Sequence, residues 1–106
     1  MRNTCLGLVL GLFFLAGCSV SKKAEKSYAN AEYDVAINQY QTLVKKNPRD
    51  PDLNYRLAEA YKKSNKIGQG MPYYRAAIQN GIDDEMAWFD YAQALKAVGK
   101  YEDAKD

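Results

Sequence analysis

The chain has 106 residues, enough for one small domain, with 15 Lys and Arg against 13 Asp and Glu and no histidine. Near-balanced charge argues against a dedicated nucleic-acid binder, which carries a strong basic excess on one face. The lack of imidazole removes the usual general base and the commonest metal ligand. Two cysteines, Cys5 and Cys18, are too few for a disulfide-stapled framework.

The chain opens with Met1 and Arg2 and then the uncharged run from Leu6 to Gly17. As a helix that run covers only about 18 Å of a hydrocarbon core of ~30 Å. A basic start, a short apolar stretch and small residues before a cut site are the signature of an export signal. Leu15-Ala16-Gly17-Cys18 resembles a bacterial lipobox, in which the cysteine sulfur takes a diacylglycerol and the chain is cut before it. Three other readings of Cys18 stand beside this one: a disulfide with Cys5, a buried core thiol, and an uncleaved anchor stopped by Lys22 and Lys23. The disulfide would staple nothing downstream. The resemblance implies a signal peptide over 1–17, a lipidated N-terminus and short tether over 18–21, and a domain over 22–106 held at a membrane by acyl chains.

Small residues in that domain repeat at a fixed step. Ala24, Ala58 and Ala92 are 34 apart, as are Ala36, Gly70 and Ala104. Tyr33, Ile67 and Tyr101 share the step, and so do Tyr40 and Tyr74. Within the second unit Leu53, Leu57, Ala58 and Tyr61 recur at three or four, an amphipathic helical stripe. Asp50-Pro51 supplies an N-cap and a proline in the first turn. Asn80-Gly81 predicts a left-handed helix stop, after which Asp83 or Asp84 caps the next helix. In the third unit Gly99 is expected at a turn, with Tyr101 and Ala104 opening a second helix that is cut short at Asp106. The expected architecture is all-α: helix pairs that cannot bury their apolar faces alone and must stack, with Ala58 and Ala92 where helices nearly touch.

This pattern resembles the tetratricopeptide repeat. Trp88, Tyr91, Ala92 and Leu95 stand at the first-helix positions of that family, as do Leu57, Ala58 and Tyr61. Gly70, Tyr74 and Ala77 fill its second-helix pattern, and Ala36, Tyr40, Leu43 and Pro48 do so in the first unit. Asn54 replaces the tryptophan and Ile82 the closing proline of the second unit, and the opening helix of the first, beginning close to Cys18, is expected to be short. The resemblance implies about 2.5 repeats over 22–106, the last incomplete, so the chain is expected to be a fragment of a longer protein or a truncated reading frame.

Enzyme chemistry is not indicated. The cluster Asp83-Asp84-Glu85 lacks the glycine-centred loop of a calcium site and reads as acidic residues at a helix start. No phosphate loop or nucleophile elbow is present, so neither a cofactor, a metal nor a small-molecule substrate is expected. Lys22/Lys23, Lys45/Lys46 and Lys62/Lys63 read as solvated helix surface rather than a nucleic-acid patch.

The resemblance implies a concave groove lined by first helices, which binds a protein or peptide. Carried over, that groove holds Tyr55, Glu59, Lys62 and Lys63 from the second unit and Phe89, Gln93 and Lys96 from the third, flanked by Tyr28 and Glu25. Rings beside charges suit an extended peptide; the alternative is that Tyr55 and Phe89 pack between helices. A clamp for a terminal carboxylate would need asparagine where Glu59 and Gln93 stand. The lipobox, Ser19 after the cysteine, and the segment Ser21 to Gln41 resemble the start of Bacteroidota lipoproteins that continue into a propeller and an OmpA-like peptidoglycan-binding domain, some tied to secretion and gliding machinery. They imply an outer-membrane lipoprotein facing the periplasm. Its function is either to recruit an envelope partner or to act as a spacer holding a further domain off the membrane.

Overall fold

In the computed structural model, the backbone of residues 11–105 and the side chains of residues 20–100 are described. The expected signal peptide and the Cys18 thiol lie outside the described side chains, as do those of Tyr101 and Ala104. Five helices follow in order among the described residues: α1 (Gly11–Ala29), α2 (Tyr33–Lys46), α3 (Pro51–Lys63), α4 (Ile67–Gln79) and α5 (Glu85–Lys105). Each packs on its neighbour in sequence, so α1/α2 and α3/α4 form two helix pairs and α5 stacks on the second. None of the described helices is long and apolar enough to cross a membrane.

Local chemistry sets the helix ends. The Asp50 carboxylate accepts from the Leu53 amide at 3.0 Å, and Pro51 sits in the first turn where no donor is missed. Asp84 rather than Asp83 caps α5, accepting from the Met86 amide at 2.9 Å. Between paired helices the chain turns through one residue of positive φ, Ala31 at 63° and Asn65 at 64°. Gly81, at 82°, stops α4 as Asn80-Gly81 predicts.

The repeat columns carry the core. Ala24, Ala36, Leu57 and Ala58 are wholly buried, and Tyr40 and Tyr74 nearly so. Burying an aromatic side chain of this kind contributes roughly 2 kcal/mol. Ala58 does mark a near contact: a methyl group added at Gly70 would lie 3.0 Å from its carbonyl oxygen. Asn54, at the tryptophan position, is buried and uses its side-chain amide to donate to the carbonyls of Pro48 and Asp50 at 3.0 and 2.8 Å, tying the α2–α3 connection to α3.

Three expectations need correcting. The opening helix of the first unit is not short: α1 runs unbroken for 19 residues, because the apolar Gly11–Gly17 stretch continues the helix N-terminally. Gly99 makes no turn, since α5 passes through it as one helix of 21 residues. Continuing α5 through Gly99 adds one hydrogen bond per residue, whereas a turn there would require a second helix to be nucleated. Ala92 is accordingly exposed instead of buried, with Trp88 and Leu95 beside it at 55% and 47% exposure: among the described residues no helix lies across that face.

Candidate peptide-binding face

Residues from four helices or their ends meet around a cavity of about 200 Å³: Tyr28 of α1, Tyr40 of α2, Asp52, Tyr55, Arg56 and Glu59 of α3, and Asp84 at the start of α5. On α3 the spacing of Asp52, Tyr55, Arg56 and Glu59 by three and four turns all of them to one side. Tyr40, in its repeat column, forms the floor.

A polar network stiffens the inner edge. The Tyr55 hydroxyl donates to Asp90 Oδ2 at 2.6 Å, joining α3 to α5. Tyr74 donates to Glu59 Oε2 at 2.5 Å, joining α4 to α3. Lys62 Nζ lies 3.2 Å from Glu59 and 3.5 Å from Asp90, one positive charge shared between two carboxylates, which leaves the cluster net negative. At the outer edge Arg56 Nε donates to Asp52 at 2.9 Å.

Burial and neighbouring carboxylates shift the acidic groups of the cavity toward their protonated forms. Burial raises Glu59 above the ordinary carboxylate value and Asp90 adds to the rise, while the Tyr74 hydroxyl and the Lys62 charge pull it back. Tyr28 is pushed up to about 12, chiefly by burial and next by the charge of Glu59. Tyr55 is raised by burial and by its bond to Asp90. Arg56 is held charged by Asp52.

Of the residues expected in the groove, the structure brings together Tyr28, Tyr55 and Glu59. Lys62 sits behind them, committed to Glu59 and Asp90. Lys63, Phe89, Gln93 and Lys96 are exposed and do not line the cavity, and Glu25 is likewise exposed outside it. Tyr55 packs against the core near Tyr74, as the packing alternative expects, and its exposed part lines the cavity. Reading the sequence missed Asp52, Arg56, Asp84, Tyr74 and Asp90. Asp90 stands one position beyond the repeat equivalent of Tyr55, an offset between helices that the repeat step alone does not give.

Chemically the cavity offers tyrosine rings and carboxylates. It is smaller than the ~300 Å³ at which small-molecule sites begin, so it fits a side chain. Arg56 is occupied by Asp52, leaving Glu59 and Asp84 to supply negative charge beside the rings of Tyr28 and Tyr55. A cationic side chain is favoured by both. Among the described residues no group of three or more His, Cys, Asp and Glu is placed to hold a metal ion.

Residues 27–65 match the model of the TPR repeat family. Together with helix pairs stacked at a step of 34 residues, this defines an all-α tetratricopeptide-repeat fold. Repeats of this kind are in general non-catalytic protein–protein interaction modules. The chain matches no curated protein.

Proposed function

We propose that this protein is a lipid-anchored tetratricopeptide module of the bacterial cell envelope that recruits a protein partner by a basic peptide segment. The cavity of Tyr28, Tyr55, Glu59 and Asp84 carries this reading, because rings, the partly buried Glu59 carboxylate and the exposed Asp84 carboxylate around a side-chain-sized space favour lysine or arginine. Anchoring through Cys18 rests on the lipobox-like sequence before it. It places the module at a membrane, with the outer membrane favoured by Ser19. Recruitment is preferred over the spacer reading, since a spacer has no use for such a cavity.

Two measurements test the parts separately. Fatty-acid labelling of cells should mark the native chain and not Cys18→Ser; label retained in the serine variant overturns the anchor. Capture of partners from envelope extract should fall with added salt and be lost in Asp84→Asn/Glu59→Gln, with helicity by circular dichroism unchanged. Undiminished capture by that helical double variant overturns the cavity as the binding site.

A further inference from the structure

Four of the five large apolar side chains that stand exposed among the described residues belong to α5: Met86, Trp88, Phe89 and Leu95. Apolar groups gathered on one face in this way mark an interaction surface, where single scattered ones would not. Ala87, Asp90 and Ala94 are the buried side of the helix, which packs on α4. On the side turned away from it, helical spacing arranges the exposed residues in two rows. Trp88, Ala92, Leu95 and Gly99 form the first, and Glu85, Phe89, Lys96 and Lys100 the second.

The rows differ in character. The first is uncharged, with a large side chain on either side of Ala92. The second is acidic at Glu85, aromatic at Phe89 and basic at Lys96 and Lys100. Glu85 and Lys96 enter no ion pair among the described residues. Being eleven positions apart on one helix, they are separated by about 16 Å along its axis and cannot pair with each other.

A second copy of α5, laid antiparallel across the first, brings them together. A two-fold axis beside Ala92 sets each residue before it against one about equally far after it in the same row of the other copy. Trp88 then meets Leu95 of the other copy. Phe89 meets Lys96, ring against cation, and Glu85 comes within reach of the same ammonium and of Lys100. At the crossing Ala92 meets Ala92, small enough for the helices to approach closely. A parallel pair would instead set Glu85 on Glu85 and Lys96 on Lys96, so the charge pattern selects the antiparallel one.

We propose that this face of α5 is a self-association surface on which two copies of the chain pair antiparallel and symmetrically about Ala92. A face one helix wide falls among the small, transient interfaces that bury less than ~1,200 Å². The chain is therefore a monomer when dilute and pairs when concentrated. None of the residues lining the cavity belongs to either row, so the inference does not depend on the peptide reading.

Sedimentation of the full chain over a rising concentration series tests this, with Trp88, the only tryptophan, reporting the face through its emission. The native chain should pass from monomer to dimer while the emission shifts to the blue in step. Lys96→Glu sets like charges against each other at both symmetric contacts and should weaken the dimer about tenfold, with helicity by circular dichroism unchanged. Glu85→Lys/Lys96→Glu exchanges the charges and should restore it, which damage to the fold would not allow. A native chain that stays monomeric up to about 1 mM overturns the proposal. Equal association of native and Lys96→Glu chains overturns it too, since the contact would then lie elsewhere. So does a double variant that fails to regain the dimer, or growth past two copies, which a closed two-fold pair forbids.

Discussion

Helices α3 and α5 carry the same columns and bury them differently. On α3, Ala58 is sealed by Gly70 of the following helix; on α5, Ala92 faces solvent between Trp88 and Leu95. A repeat column therefore specifies what a face can accept, and only the next helix turns that capacity into burial. The sharpest way to break this contrast is to enlarge both alanines. Ala58→Leu forces a branched side chain into a contact already at van der Waals distance and should cost ~1–3 kcal/mol. Ala92→Leu should change stability by less than about 0.5 kcal/mol, as exposed helical substitutions do. Thermal melts of the two variants decide. An equal loss for both would mean that α5 is covered after all.

The contrast also shows what was legible in the residues alone. Columns at a fixed step gave the helix pairs, the Asp50 cap and the stop at Gly81, because each rests on local chemistry that the neighbouring residues supply. The state of α5 was not legible: Gly99 is compatible with a turn or a helix, and the choice depends on how much helix lies beyond it. The groove was half legible. Tyr28, Tyr55 and Glu59 follow from helix-face arithmetic within a unit. Asp90 and Tyr74, which hold the network in place, belong to contacts between helices whose offset the repeat step does not state. Nor could it show that Lys62 would be consumed by two carboxylates rather than left for a partner.

Tyr55 and Phe89 share a column too, and separate the two helices a second time. The Tyr55 hydroxyl bridges to Asp90, which is otherwise approached only by Lys62 among the described residues. Tyr55→Phe keeps the ring and removes the donor, and should cost about 1 kcal/mol in a half-buried setting. Phe89, 55% exposed, has no such bond, and Phe89→Ala should be silent in the same urea titration. Unaltered stability of Tyr55→Phe would mean that water replaces the bond without loss and that the α3–α5 junction rests on packing alone.

The smallest expected difference lies in pH dependence, at the column shared by Glu59 and Gln93. Glu59 meets the Tyr74 hydroxyl from α4, Lys62 on its own helix and the charge of Asp90 from α5, with Tyr28 of α1 across the cavity. Burial dominates and raises its folded value above the ordinary 4.5. The folded state thus holds the proton more tightly than the unfolded chain, so this group's contribution to stability falls as pH rises from the ordinary carboxylate value through the raised one. Above both values the full penalty applies. Glu59→Gln removes the titrating group while keeping an oxygen for Tyr74, so the melting temperature of the native chain minus that of the variant should decline as pH rises from about 4 to about 7. Gln93→Glu, which puts a carboxylate on the exposed position of α5, should leave the slope of the native chain unchanged. A difference between native and Glu59→Gln proteins that stays flat across this range would show that Tyr74 and Lys62 fully offset the burial, and that the cavity wall is charged at no cost to the fold.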